Sequence, residues 1–354
     1  MIIESTNVDL VQKPSFCQAL VTGSTGLNVL SLFDGMSCGQ IALQRAGIKV
    51  ENYFASEIDK YAIQVAKHNF PNTKHIGSVV DVKGNDLPKI DLLIGGSPCQ
   101  GFSFAGKQLN FDDPRSKLFF EFVRLKNECN PTYFLLENVK MKKEYEDIIT
   151  EYLGVKPIAI NSELFSAQDR KRIYWTNINF KALPTENKLT VEDILEDEVD
   201  VKYYIEPKRS VVICENEVKK RKIAFIGSNS QGNRIYNIHG KSVCLCGEGG
   251  GLGAKTGLYA LPCLTPDRLE KRQNGRRFKP SNSKFYTLTA MDKHGILTDN
   301  FIRKLTPIEC ERLQTVPDNY TKIASDNQRY RMLGNGWTVD VIAQIFGGLR
   351  QHYA

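Results

Sequence analysis

Three short segments hold the residues best suited to chemistry. The first is GGSPCQGFS at 95–103, where Cys99 follows a short apolar run inside a glycine-rich turn, behind a proline that fixes the backbone. A thiol so held is exposed at the carboxyl edge of a sheet, where a nucleophile belongs, and it reacts near neutral pH once its proton is drawn off. The second is Glu137-Asn138-Val139, which closes the next apolar run with a carboxylate able to give a proton to a ring nitrogen. The third is QDRKR at 168–172. Arg170 and Arg172 alternate along a strand-like stretch that continues as RIYWTNI, so they share one face. Either could bind a carbonyl or a phosphate, and an ordinary cationic strand edge is the plainer alternative.

A thiol and a proton donor at neighbouring strand ends are what addition to a pyrimidine requires. In cytosine, a nucleophile at carbon 6 and a proton at nitrogen 3 together make carbon 5 nucleophilic. A cofactor cradle lies upstream. LSLFDGMSCGQIAL at 30–43 reads as strand, glycine turn and helix, the usual seat of a phosphate or nucleotide. It lacks GxGxxG spacing, which favours a smaller adenosyl ligand over a dinucleotide. Glu57, ending the second apolar run, is placed to accept ribose hydroxyls, with a structural carboxylate as the alternative.

The elements that must position these groups are legible as alternation. LNVLSLF (27–33), YFASEI (53–58), IDLLIGG (90–96) and TYFLLENV (132–139) have the length and texture of buried strands. Helix-like segments near 37–46, 59–69, 114–128 and 141–153 separate them, which predicts a parallel sheet wrapped on both faces. Residues 1–26 read as a peripheral extension. After Ile178 the texture changes: an acidic run (191–200) leads into a basic, Gly- and Asn-rich region, and helical periodicity returns only after Thr306. Residues 179–302 are therefore expected to form a second, smaller domain of short strands and loops. The first domain is expected to combine 1–178 with 303–354. Residues 201–300 carry 18 Lys+Arg against 8 Asp+Glu, whereas the whole chain is only +7, so positive charge concentrates there as on a phosphate-binding surface. The region also suggests a repeat, in which the units beginning near Arg234 and Arg277 each run through an apolar hairpin-like segment to LTP and an Arg/Glu-rich stretch.

At 41% hydrophobic and 25% charged residues the composition is that of an ordinary globular protein. No run approaches a membrane span and no signal peptide precedes Leu27, so a cytoplasmic protein away from the membrane is expected. The nine cysteines include no CxxC pair. They read as reduced thiols, and no metal site is expected, since Cys244, Cys246 and Cys263 lack a fourth ligand at sensible spacing.

Taken together and in order, FDGMSCG, GGSPCQGFS, ENV, QDRKR, LTPIECERLQTVPDNYT and LGNGWTV resemble the DNA cytosine-5 methyltransferase family. The wording is closest to vertebrate de novo catalytic domains and their phage and bacterial relatives. The resemblance covers about 27–178 and 303–347. It implies a Rossmann-like, doubly wound S-adenosylmethionine domain with a target-recognition insert, acting on double-stranded DNA and flipping the cytosine out of the duplex. It implies that Cys99 is the nucleophile, that Glu137 protonates or hydrogen-bonds the flipped base, and that Arg170, with Arg172 beside it, stabilises that base. For the cofactor it implies Phe33 stacked on adenine, Glu57 on the ribose and Leu118 as an apolar wall. Asn335, Gly336 and Trp337 close the pocket. Asp34, Gly35, Met36, Ser37, Cys38, Ile58, Val79 and Pro98 complete the expected contacts. Ser78 stands where relatives carry an Asp that binds the adenine amino group, which puts that contact in doubt. Gln100, Ser103, Arg234, Lys241, Arg276 and Arg277 are the expected DNA contacts. A monomer is expected, with a cognate restriction endonuclease as a functional partner that is not physically bound. An RNA-directed relative on the same scaffold and a catalytically dead DNA-binding relative are the rival readings. The 124-residue insert (179–302) argues against the first, and intact Cys99, Glu137 and Arg170 against the second.

Overall fold

A computed structural model of the chain describes residues 26–98, 114–205, 211–213, 222–238, 240–247, 252–253, 255–260 and 302–353. Seven strands form the main sheet: β1 (Leu27–Leu32), β2 (Val50–Ser56), β3 (Lys74–Gly77), β4 (Leu92–Gly95), β5 (Tyr133–Val139), β6 (Ile158–Asn161) and β7 (Lys171–Thr176). Their order is β3-β2-β1-β4-β5-β7-β6. The first five run parallel. β7 runs antiparallel to both β5 and β6, so the sheet is mixed at one edge, a reversal that alternation alone did not reveal. Between β1 and β4 the strand order changes direction. In open α/β sheets that switch point is where ligands bind.

Both faces of the central strands are buried, which is why they read as unbroken apolar runs. Leu27, Val29, Leu92, Ile94 and Leu135 face one core, while Leu30, Leu32, Leu93, Phe134 and Leu136 face the other, at the two-residue period of a strand. Helices α1 (Cys38–Ala46) and α2 (Lys60–Asn69) cover the first face. Helices α3 (Pro114–Cys129) and α4 (Lys143–Leu153) cover the second. α2 starts at Asp59, whose side chain accepts from the Tyr61 and Ala62 amides. The C-terminal segment supplies α5 (Pro307–Leu313), α6 (Asp326–Asn335) and α7 (Val339–Phe346), and α7 packs on α1 to complete the first core.

A second, six-stranded sheet is built from β8 (Tyr204–Ile205), β9 (Val211–Ile213), β10 (Lys222–Ile226), β11 (Arg234–Tyr236), β12 (Leu258–Ala260) and β13 (Ile302–Lys304). β13 straddles the expected boundary at 302/303, and its pairing with β8 and β12 puts it in the second sheet. The second unit of the suggested repeat lies largely outside the described residues. Among the described residues no helix is long and apolar enough to cross a membrane, and no cluster of His, Cys, Asp and Glu could hold a metal ion.

Candidate active site

The carboxyl ends of β1, β2, β4 and β5 open into a cavity of about 680 Å³, closed on its far side by α6 and the turn after it. The turn after β1 brings Phe33, Asp34, Gly35, Met36 and Cys38 to the wall. Glu57, at the end of β2, is held by three backbone amides: Gly35 N donates to Oε2, and Ile58 N and Asp59 N donate to Oε1, each at 2.8 Å. Beside it Ile58 is 77% exposed, an apolar side chain uncovered at the cavity wall. Burial pushes the Asp34 carboxyl up to about 6 and outweighs hydrogen bonds from Ser31, Ser37 and Tyr53. Burial also pushes the Cys38 thiol up to about 12, so this second thiol at the cavity stays neutral.

β4 delivers Gly96, Ser97 and Pro98 to the cavity, and the neighbouring β5 delivers Glu137, Asn138 and Val139. Glu137 is only 8% exposed. Its Oε1 forms an ion pair with Arg172, Nε at 3.1 Å, and its Oε2 accepts from Trp337 Nε1 at 3.1 Å. Arg170 and Arg172 share one face and both line the cavity, yet they have different partners. Arg170 Nη1 donates to Cys244 Sγ and Leu245 O, and Nη2 to Gly334 O and Gly336 O, so its guanidinium ties β7 to two distant segments. Arg172 faces the carboxylate. Cys244 receives both guanidiniums, at 3.3 Å from Arg170 and 3.7 Å from Arg172. Burial works to raise that thiol, but the two positive charges prevail and hold it below the ordinary thiol range.

Of the fifteen expected cofactor positions, the cavity gathers Phe33, Asp34, Gly35, Met36, Cys38, Glu57, Ile58, Pro98, Asn335, Gly336 and Trp337. It does not gather the other four. Ser37 is buried beneath the wall, where its hydroxyl donates to Asp34. Ser78 is half-buried after β3, Val79 is buried in the second core, and Leu118 packs on that core from α3. Lys241 donates to the carbonyls of Ser166 and Asn187 at 3.1 and 2.8 Å, so much of its donor capacity serves the fold. Among the described residues, Arg234 donates to Asn229, at 3.3 Å. Cys99, Gln100, Ser103, Arg276 and Arg277 lie outside the described residues. The cavity wall also includes Asp59, Tyr61 and Arg331, which the sequence reading passed over. Arg331 was findable, because it precedes Asn335 by four residues on one face of α6. Cys244 had no such signal, having been weighed only as a metal ligand.

A doubly wound sheet with a cavity at its switch point and a buried carboxylate, guanidinium and indole around one corner is the arrangement of an α/β protein with a small-molecule cavity at its strand ends. The family described as C-5 cytosine-specific DNA methylase matches residues 27–351. An orphan methyltransferase of Bacillus phage SPR, M.SPRI, is 31% identical, over 92% of this chain and 98% of its own. The type II methyltransferase M.HhaI of Haemophilus parahaemolyticus is 28% identical, over 91% of this chain and 93% of its own. The structure of the Entamoeba histolytica methyltransferase EhMeth shares the fold, with a TM-score of 0.64 at 18% identity over 93% of this chain and all of that one. The chain belongs to the C-5 cytosine-specific DNA methylase family and is a DNA cytosine-5 methyltransferase.

Proposed function

We propose that the enzyme methylates cytosine in double-stranded DNA after drawing the base out of the duplex, with Cys99 as nucleophile and S-adenosylmethionine in the cavity. The observation that supports this most is the corner formed by Pro98, Glu137 and Arg172 on one cavity wall, with Cys99 next in sequence to Pro98. The cavity suits the donor: its volume is that of a small-molecule site, an aromatic ring and an uncovered Ile58 can flank a purine, and the fixed Glu57 carboxylate keeps a lone pair on Oε2 for a hydroxyl. When bound there, the donor supplies an electrophilic methyl group.

The thiolate of Cys99 adds to carbon 6 of the cytosine while Glu137 shares a proton with nitrogen 3, which leaves carbon 5 electron-rich. Arg172, already facing Glu137, takes the base carbonyl or the adjacent phosphate. Arg170 keeps its four acceptors and holds the wall together. After transfer the carbon 5 proton leaves, the thiolate is expelled and the ring regains its conjugation. Residues 179–302 serve as the target-recognition domain, DNA lies between it and the sheet, and the enzyme acts as a monomer. Replacement Cys99→Ser tests the chemistry. Methyl transfer should fall to background with DNA binding intact, because an alcohol is far less acidic than a thiol. A duplex with 5-fluorocytosine should trap the wild type covalently, since fluorine cannot leave carbon 5 as a proton does. Retained activity in Cys99→Ser would sink the mechanism.

A further inference from the structure

Trp337 belongs to the turn that closes the cavity, and its indole also reaches the catalytic corner. Its Nε1 lies 3.1 Å from Glu137 Oε2, while Arg172 Nε lies 3.1 Å from Oε1. The indole and the guanidinium come from segments far apart in the chain and hold one carboxylate between them. The backbone on either side of Trp337 is fixed. Gly336 O accepts from Arg170 Nη2 at 2.9 Å and from Gln314 Nε2 at 3.2 Å, and the Thr338 hydroxyl bonds Gln314 Oε1 and Ser162 Oγ, both at 2.8 Å. The ring lies against Gly39 and Gly96. A methyl group on Gly96 would come within 3.0 Å of the indole nitrogen and 3.2 Å of Glu137 Oε2, so an alanine there would press on both partners.

We propose that Trp337 is a positioning residue for the reaction: its indole N–H fixes the plane and reach of the Glu137 carboxylate. The inference rests on Glu137 being the group that bonds the base. A carboxylate has about four lone-pair sites, and an indole N–H only donates, so Trp337 secures one oxygen without competing for the proton in play. With the indole bonded to one oxygen and the Arg172 charge paired with the other, the carboxylate is held in place and keeps lone pairs for nitrogen 3 and the exocyclic amine of cytosine. The same residue lines the donor cavity, so one side chain spans both halves of the reaction.

Trp337→Phe separates the two roles, because it keeps an aromatic wall and deletes the N–H. The readouts are the single-turnover methyl-transfer rate on duplex DNA and donor affinity by calorimetry, in protein whose melting is unchanged. The transfer rate should fall about ten- to a hundredfold, as expected for a lost hydrogen bond to a charged group, with donor affinity within about twofold. An unchanged rate, or a rate loss matched by an equal loss of donor affinity, would leave Trp337 as cavity wall only and overturn the proposal. If Trp337→Phe fails to fold, Gly96→Ala tests the same contact by inserting a methyl between the partners. It should lower the rate likewise, and wild-type transfer in that variant overturns the proposal. Glu137→Gln run in parallel keeps the two readings apart. A fully active Glu137→Gln removes the role given to Glu137, whereas an impaired Glu137→Gln beside an unimpaired Trp337→Phe refutes only the indole's part.

Discussion

Phe33 and Ser37 both adopt left-handed backbone, at φ 56° and 64°, with Asp34 between them. For non-glycine residues such a conformation costs on the order of 1–3 kcal/mol and persists only where the surroundings enforce it. Here the Phe33 ring packs against the second core, and the Ser37 hydroxyl and Tyr53 Oη, the latter at 2.7 Å, both donate to Asp34. Those donors favour the carboxylate, but burial favours the acid and prevails, which brings Asp34 up to about 6. A carboxyl raised above its ordinary value of 3.8 contributes stability that is fully present below about 3.8 and is lost as pH rises through about 6. The full interval corresponds to about 3 kcal/mol, and water in the half-exposed cavity trims that to about 1–3 kcal/mol. Asp34→Asn removes the titration. Urea unfolding at pH 4 and pH 7 should therefore show the variant gaining that amount on the wild type between the two values. Parallel pH curves for the two proteins would refute the assignment.

Between elements, the tie with the clearest energetic consequence joins the second sheet to α5. Arg303 on β13 and Glu309 on α5 form a two-pronged pair, both bonds at 2.7 Å, with side chains 2% and 0% exposed. Glu309 also accepts from Thr306 N and Glu196 N, so it caps α5 and anchors the acidic run at once. Removing one member of such a pair strands a buried charge, and Arg303→Ala should cost about 3–5 kcal/mol in urea unfolding. A loss below about 1 kcal/mol would mean the pair is dispensable. The residues behind this junction also show how far sequence reading reached. The central strands and helices were legible because both faces of the sheet are buried and glycines mark the turns. The site motifs were legible because chemistry confines them to strand ends. Direction was not: nothing in RIYWTNI distinguishes a parallel strand from the antiparallel β7 that turns Arg172 onto Glu137. Likewise the sequence offered two equivalent arginines, and only their partners, which for Arg170 lie 74 and more residues away, separate a tie from a group facing the site. β13 was missed as part of the insert because three residues carry no readable period.

The molecule as a whole does not treat the insert as a tethered module. Val191, Ile194, Tyr203, Tyr236, Ile238, Leu245 and Tyr259 from the insert share one continuous core with Tyr174, Leu313 and Leu333, while among the described residues a separate cluster of the insert comprises Ala224, Ile226, Ile235, Leu258 and Ile302. Backbones cross closely where Gly247 meets Gly334, and a Cβ on either would collide with the other segment. Arg170 bonds both sides of that crossing. On the proposed function, this shared core fixes where the insert's side chains lie relative to Glu137. Arginines on guanine edges specify sequence, whereas lysines on phosphates set affinity and its salt dependence. Arg234, on β11, is bonded among the described residues to Asn229, and the proposed function gives it a base to read. Arg234→Ala should change which sites are methylated, at about 1–3 kcal/mol for a lost base contact, and Arg277→Ala should act alike if the two units are equivalent. Lys271→Ala and Lys279→Ala should instead weaken binding on all sequences and flatten the salt slope. Grafting a relative's insert should transfer its site preference only when the graft extends through Lys304, so that β13 travels with its sheet, and when the insert residues that share the first core are matched. Bisulfite profiles decide the matter. An unchanged motif in both arginine variants and in a folded graft would reduce the insert to a basic clamp and move specificity to the loop that carries Cys99.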